Sequence, residues 1–162
     1  MRMRPRSYVA AAIGLWAAMA GCGDGRTKFD LAPTKGQVLC EGKSVPYVTV
    51  FFEPLNQGKN SQVGKQGIGH CDAEGFFIIS TYDTDDGAVV GKHRVRVTRP
   101  MGEGRPDPKC DCLLSETVDV MQVEIEGGKE NTIEVALKKA SKAEKALEEK
   151  QVARDREDRV EE

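Results

Sequence analysis

The sequence predicts an all-β protein, a seven-stranded antiparallel β-sandwich over residues 34–137, with an N-terminal signal segment before it and a charged tail, 138–162, after it. Seven runs rich in β-branched and aromatic residues recur within the central stretch, separated by turn-forming residues. The 17 glycines fit short strands joined by tight turns better than a helical bundle. Beyond residue 137 glycine and proline disappear, and helix formers dominate.

The first four strands are predicted as two pairs joined by turns. Lys35–Cys40 and Val45–Glu53 flank a glycine-containing turn at 41–43. Gln66–Cys71 and Phe76–Thr81 flank the sequence Asp72-Ala73-Glu74-Gly75, which places glycine where a hairpin needs a left-handed conformation. Successive strand residues point to opposite faces, so one face of the second strand carries Val48, Val50 and Phe52.

The last three predicted strands are Lys92–Thr98, Val118–Glu126 and Asn131–Leu137. A loop, 83–91, precedes the first of them, and the longest irregular segment, 99–116, follows it. Basic residues alternate with His93, Val95 and Val97, which predicts one solvated side. In the next strand alternation sets Val118 and Val120 against Asp119 and Met121, and then Val123 and Ile125 against Glu124 and Glu126. The final strand is expected to bring Ile133, Val135 and Leu137 into the core.

The N-terminus has the layout of an exported lipoprotein. Three arginines precede an uncharged run, Ser7–Gly21, which is shorter than the roughly 20 residues that a helix needs to cross a bilayer. Met19-Ala20-Gly21-Cys22 resembles the bacterial lipobox, whose cysteine is lipidated and becomes the new N-terminus. Residues 1–21 are therefore predicted to be a lipoprotein signal peptide, and Cys22 the lipidation site. The alternative is an ordinary signal peptide with a chance cysteine.

The segments on either side of the β domain are predicted to be solvated. Residues 22–33 are polar and without periodicity, which is typical of a flexible tether. The tail, 138–162, has eight basic and eight acidic side chains and few apolar positions, which favours a helical or disordered state; a coiled-coil or partner-binding helix is the alternative. Without residues 1–21 the chain has 21 basic and 26 acidic side chains, a net charge of −5, which argues against nucleic-acid binding.

Four segments resemble carboxypeptidase-regulatory-like and transthyretin-like domains. They are Gly36–Pro46, Val48–Pro54, Gly69–Phe76 and Asp86–Val97, with Cys71 where the family has threonine and His93 where it has tyrosine. Combined with the lipobox, they make the chain similar to small lipoproteins abundant in planctomycete bacteria. The resemblance implies a prealbumin or immunoglobulin-like sandwich without established catalytic activity. Hydroxyisourate hydrolases share this fold, but the chain lacks their C-terminal Tyr-Arg-Gly-Ser, which excludes that activity.

The cysteines point to an oxidising compartment. Lipidation of Cys22 leaves an even set of four, which in an exported protein predicts disulfides; the four are Cys40, Cys71, Cys110 and Cys112. A direct bridge between Cys110 and Cys112 would close a strained ring, so Cys40 and Cys71 are expected to pair elsewhere or with each other. Cys110-Asp111-Cys112 could also bind zinc or copper(I), but no further cysteine or histidine cluster lies nearby in the sequence.

The remaining polar residues form no catalytic pattern. His70 and Cys71 are consecutive in a strand and point to opposite faces, which makes a shared metal ion difficult. His93 is predicted to be a half-buried packing residue, and the acidic loop Asp83–Asp86 lacks the spacing of a calcium-binding loop and is expected to be solvated. No serine lies in a Gly-x-Ser-x-Gly context, so the chain is predicted not to be an enzyme and to need no metal or cofactor.

Two functions follow from these patterns. The first is a membrane-anchored, non-catalytic module of the bacterial cell envelope, held at the periplasmic or outer-membrane face by its lipid. Its sheet faces, or the loops 59–65, 83–90 and 99–116, would contact an envelope protein or a glycan. The alternative is an envelope metal-binding or thiol-redox protein that uses Cys110 and Cys112.

Overall fold

The computed structural model describes residues 29–55, 63–100, 106, 108, 110–147 and 150. Within them lie ten β-strands and one short helix, α1, over 142–147. The strands are β1 (Leu31–Ala32), β2 (Thr34–Cys40), β3 (Lys43–Ser44), β4 (Thr49–Pro54), β5 (Gly67–His70), β6 (Phe76–Ile78), β7 (Ala88–Val89), β8 (Gly91–Thr98), β9 (Met121–Ile125) and β10 (Asn131–Leu137).

The all-β prediction is confirmed, because each of the seven predicted runs contains a strand. The other three strands, β1, β3 and β7, have two residues each. Two residues are too few for period-two alternation to become visible in a sequence. β7 lies inside the segment that was expected to be a loop, 83–91, and β1 lies inside the predicted tether.

Two four-stranded sheets form most of the structure. One has the order β5-β4-β8-β9 and is antiparallel throughout. In the other, β2 pairs with β10 along its whole length. On its opposite side β2 pairs with β6 through residues 35–37 and with β3 through residues 39–40. β2 and β10 run parallel, so the expectation of a purely antiparallel arrangement is wrong for this pair. Parallel strands cannot be joined by a tight hairpin, and here almost the whole domain lies between the two.

The two sheets share one hydrophobic core. From the antiparallel sheet Val50, Phe52, Val95 and Val97 are buried, and from the other sheet Val38, Phe77 and Val135 are buried. The alternation predicted for β4 and β8 is thus confirmed. A fully buried side chain of this kind stabilises a fold by roughly 1.5–3 kcal/mol relative to an exposed one.

The strand predicted over Val118–Glu126 begins later in the structure, at Met121. Val118 lies outside the strand and is 42 % exposed, whereas Met121 lies on the same side as Val123 and Ile125 and packs on the core. Residues 115–120 run beside β8, with hydrogen bonds from Ser115 N to Val97 O and from Val120 N to Val95 O, both 2.8 Å. This stretch is not regular strand, so its alternation does not continue into β9.

The ordered domain begins before Thr34. β1 pairs with β7, and Ala32 is fully buried between neighbouring segments. Gly87 lets the chain pass this close, because a Cβ there would lie 2.1 Å from Ala32 O, and its φ of +98° is one that other residues rarely adopt. Residues 29–33 therefore belong to the domain. The signal peptide 1–21, Cys22 and the tether as far as residue 28 lie outside the described residues.

The start of the C-terminal tail is docked on the domain. Ser141 and Glu144 form a capping box, since Ser141 N donates to Glu144 Oε2 (2.8 Å) and Glu144 N donates to Ser141 Oγ (3.2 Å). Lys145 Nζ lies 2.6 Å from Asp111 Oδ1, and Ala140 is buried. A helix is thus confirmed over 142–147, and residues 151–162 lie outside the description. No helix among the described residues is long and apolar enough to cross a membrane.

Candidate functional site

One of the predicted disulfides is present. Cys40, the last residue of β2, is bonded to Cys112, and their Cα atoms are 6.0 Å apart. Cys112 also forms an antiparallel bridge with Lys139, and Leu113 N donates to Lys138 O at 3.0 Å. The disulfide therefore fastens both the end of the long irregular segment and the start of the tail to the C-terminal end of β2.

Cys71 and Cys110 are free thiols, so of the four cysteines that could form disulfides only Cys40 and Cys112 are bonded. Cys71 is part of the hydrophobic core, and its burial, with a smaller effect from Asp72, raises the pKa of the thiol to about 12. Such a thiol stays protonated and unreactive at neutral pH. Cys110 is half-buried. Because the sulfur of Cys112 is bonded to Cys40, Cys110 and Cys112 do not form a metal chelate here, and the described residues contain no other cluster suited to a metal ion.

The two histidines have different environments. His70 is exposed on β5, and its Nδ1 lies 3.2 Å from the hydroxyl of Thr49 on β4. The neighbouring Cys71 points into the core, so the prediction that these two residues face opposite sides is confirmed.

His93 is fully buried rather than half-buried, which corrects the prediction. It occupies a core-facing position of β8, and its ring lies 5.9 Å from that of Phe52. Its Nε2–H donates to Val89 O at 2.6 Å, so the histidine links β8 to β7. Burial lowers the pKa of this imidazole, and we conclude that it is a neutral structural residue.

The acidic loop is organised by Asp86. Its Oδ1 accepts a hydrogen bond from Thr81 N (2.6 Å), and its Oδ2 accepts from Tyr82 N (2.9 Å) and Asp83 N (2.7 Å). Burial alone would raise the pKa of Asp86, but the backbone donors outweigh it and lower the pKa. The loop was expected to be merely solvated; instead this carboxylate holds it in shape, and Asp85 beside it remains exposed.

A groove of about 870 Å³ lies where the two sheets meet at the β5–β6 hairpin. We call it the seam groove; it is lined by Lys65, Ile68, His70, Asp72, Phe76, Phe77, Ile78, Ser80, Thr81, Tyr82, Asp83, Thr84 and Asp85. β5 belongs to one sheet and β6 to the other, and the backbone joins them at both ends of the hairpin. Ile68 and Ser80 exchange two hydrogen bonds of 2.9 Å, and Asp72 N donates to Phe76 O at 2.9 Å.

The lining of the seam groove combines exposed apolar side chains with acidic ones. Phe76 and Ile78, two residues apart on β6, point outward and are 52 % and 50 % exposed. Three aspartates and one lysine line the groove, a formal charge of −2 with histidine neutral. The arrangement offers an apolar contact surface beside carboxylates, which is suited to binding.

The outer face of the antiparallel sheet carries a compact ion-pair network. Glu53 on β4 accepts from Arg94 Nη2 at 2.5 Å and from Arg96 Nη2 at 2.7 Å. The hydrogen bond from Arg94 is the main cause of the lowered pKa of Glu53. Arg96 also donates to the backbone carbonyl of Glu116, which ties the irregular segment to this face. The basic side predicted for β8 is present, and its charges are partly neutralised.

The sequence did not single out the seam groove. Phe76-Phe77-Ile78-Ile79 is a continuous apolar run, and period two alone cannot tell which pair points outward. The sequence did contain one signal: only alternate residues of a strand can face the core, so a run of four apolar residues implies that two of them point outward. A comparison with protein-family models finds no match for this chain. A comparison with curated proteins also finds none.

Proposed function

We propose that this chain is a membrane-anchored, non-catalytic lipoprotein of the bacterial cell envelope, whose β domain binds a partner through the seam groove. The observation that carries the proposal is the pair of half-exposed apolar side chains, Phe76 and Ile78, in a groove that is open to solvent. Contiguous exposed apolar surface of this kind is typical of interaction sites in soluble domains.

The lipobox-like sequence ending at Cys22 supports the anchor. Phe29, the first described residue, already contacts the domain, since its N–H donates to the Tyr82 hydroxyl at 3.3 Å. Only seven peptide units separate Cys22 from Phe29, and they span at most about 25 Å when fully extended. On this proposal the domain is held close to the lipid surface, and the predicted tether is shorter than the sequence suggested.

We also propose that the domain is a seven-stranded sandwich of the carboxypeptidase-regulatory-like and transthyretin-like type. The seven strands found in the predicted runs, together with the two-residue β3, form two sheets around one core, which supports this assignment. The family-like motifs also fall at turns with the conformation that their glycines permit, since Gly42, Gly75 and Gly87 have φ values of 77°, 79° and 98°.

The anchor is tested by expressing the full chain in a bacterial host with Cys22→Ala, and with Ser7→Ala as a matched control within the signal segment. We expect Cys22→Ala to abolish labelling by a radioactive fatty acid and to release the protein from the membrane fraction, whereas the control retains both. Unchanged membrane retention of Cys22→Ala would instead indicate an uncleaved anchor, and the lipoprotein proposal would be wrong.

A thiol-redox protein is the second candidate, and one observation favours it. The half-buried thiol of Cys110 lies two residues from Cys112, which carries the disulfide. The thiolate of Cys110 can attack the sulfur of Cys40, which forms a Cys40–Cys110 bond and releases Cys112 as a thiol, so that the strained Cys110–Cys112 ring is avoided. If this exchange is functional, Cys110→Ser should slow the reduction of the disulfide by glutathione. An unchanged rate would leave Cys110 without a redox role.

A further inference from the structure

We propose that the seam groove binds an extended cationic peptide segment, in which one apolar side chain lies between two basic residues that are four positions apart. This inference rests on the proposed binding function and names the chemistry of its partner. It is argued from the positions of two aspartates along the hairpin, the exposed apolar side chains and the charge of the groove.

The spacing of the acidic residues sets the spacing of the basic ones. Asp72 stands at one end of the β5–β6 hairpin, where its N–H bonds to Phe76 O. Asp85 stands at the other end, where its N–H donates to Ser80 Oγ at 2.9 Å. Phe76 and Ser80, to which the two aspartates are bonded, are four positions apart, which corresponds to about 13 Å along an extended chain at roughly 3.3 Å per residue. In an extended peptide, side chains four residues apart point to the same side and are separated by the same distance.

The apolar wall fits the middle of such a segment. Phe76 and Ile78 lie between the two acidic ends, and both are about half exposed. Ile68 lines the opposite side of the groove on β5. A single apolar side chain at the third position of a five-residue segment would enter between them, while the flanking residues keep the chain extended. Burying apolar surface there supplies binding energy that does not depend on charge.

The negative charge of the groove favours a positively charged partner. The lining residues carry a formal −2, and both Asp72 and Asp85 are exposed. Both aspartates already have a structural role. Asp72 Oδ1 caps the turn by accepting hydrogen bonds from Glu74 N and Phe76 N, and the N–H of Asp85 donates to Ser80 Oγ. Their negative charges remain available to a cation, and pairs at such exposed positions are modest in strength and weakened by salt. Anionic glycans and acidic peptides are disfavoured by the same carboxylates.

The test uses the full-length lipidated chain in a non-ionic detergent and a fluorescein-labelled pentapeptide. The probe has arginine at positions one and five, valine at position three and threonine between them; a second probe has glutamate in place of arginine. We expect a saturable rise in fluorescence anisotropy for the basic probe and none for the acidic one. Raising the salt from 50 to 300 mM should weaken binding several-fold, because exposed charges are screened over about 10 Å at 0.1 M.

Two double variants separate the charge from the apolar surface. Asp72→Asn with Asp85→Asn keeps the side-chain oxygen that caps the turn and suits the positive φ of 57° at Asp85, and it should weaken binding about fivefold. Phe76→Thr with Ile78→Thr keeps strand-forming residues and should weaken it about tenfold. The matched control, Val118→Thr with Asp119→Asn, removes an exposed apolar side chain and an exposed acid elsewhere and should stay within about twofold of the wild type.

Each result decides the proposal. Binding of the basic probe that both groove variants weaken and the control does not would support it. No saturable binding, equal binding of both probes, or binding that the groove variants leave unchanged would overturn it. The membrane anchor is measured separately through Cys22, so a negative peptide result removes this partner without removing the envelope lipoprotein proposal.

Discussion

Removing the disulfide between Cys40 and Cys112 should destabilise the domain strongly. The two cysteines are 72 residues apart in sequence, and cross-linking a loop of that length restricts the unfolded chain. The chain-entropy relation gives a stabilisation of about 4 kcal/mol at 25 °C for such a loop. That is a large fraction of the 5–15 kcal/mol typical of a whole domain. The perturbation is the double variant Cys40→Ala with Cys112→Ala, which leaves no unpaired partner.

Urea unfolding followed by far-UV circular dichroism measures the effect. The only tryptophan, Trp16, lies in the predicted signal peptide, so tryptophan fluorescence cannot report on the domain. With an m-value of about 2 kcal/mol per molar urea, a loss of 4 kcal/mol lowers the midpoint by about 2 M. Reducing the wild type with a phosphine should give nearly the same shift. Cys110→Ala is the matched control, because Cys110 is not in the bridge and its change should move the midpoint far less.

Removing the disulfide should also destabilise particular segments of the domain before the rest. Leu113 and Ala140 take part in the backbone hydrogen bonds that join the irregular segment to the tail, and the disulfide is the covalent link of this unit to β2. Hydrogen exchange should therefore accelerate first in 110–115 and 138–147 when the bridge is absent. An identical urea midpoint with and without reductant would show that the bridge contributes no stability and would refute this reasoning.

Three further predictions concern single core or loop residues. Asp86→Asn should lower the free energy of unfolding by about 3 kcal/mol at pH 7, because an amide cannot accept from all three backbone donors. Because the pKa of Asp86 is lowered in the folded state, the difference in urea midpoint between wild type and variant should shrink below about pH 4. The wild type should lose stability as pH falls below about 6.5, because the lowered pKa of His93 lets only the unfolded state take up a proton there. His93→Phe should abolish this loss, and parallel profiles of stability against pH for the two proteins would contradict the prediction. Gly36→Ala should cost at least about 3 kcal/mol by thermal melting, because its Cβ would lie 1.9 Å from Ile133 O, whereas Gly127→Ala, whose nearest neighbour would be at 3.4 Å, should be close to neutral.

Local patterns in the sequence predicted the strands well because each depends on neighbouring residues. The alternation in β4 and β8 follows from the two-residue period of a strand, and Gly75 closes the predicted hairpin with a φ of 79°. The position of His93 on the core face also follows from this period. Its complete burial does not, because burying the imidazole N–H is costly unless a distant acceptor such as Val89 O receives its hydrogen bond.

Features that depend on distant segments could not be read from the sequence. Four cysteines allow three pairings, and choosing Cys112 as the partner of Cys40 requires knowing that residues 110–115 run beside the end of β10. The parallel pairing of β2 with β10 is equally non-local. The seam groove exists because β5 and β6 join different sheets, so that the outward residues of a hairpin line a cleft. An alternation pattern contains none of this information.

The fold also connects the proposed anchor to the proposed binding site. Tyr82 lines the seam groove, and its hydroxyl accepts a hydrogen bond from Phe29, the first described residue of the domain. β1, two residues further on, pairs with β7, which directly follows the loop organised by Asp86. If Cys22 carries the lipid, the end of the groove at Tyr82 and Asp85 lies where the chain leaves the domain towards the membrane, within the roughly 25 Å that seven extended residues can span. A partner that approaches along the membrane surface would therefore meet the end of the groove at Asp85 before the end at Asp72.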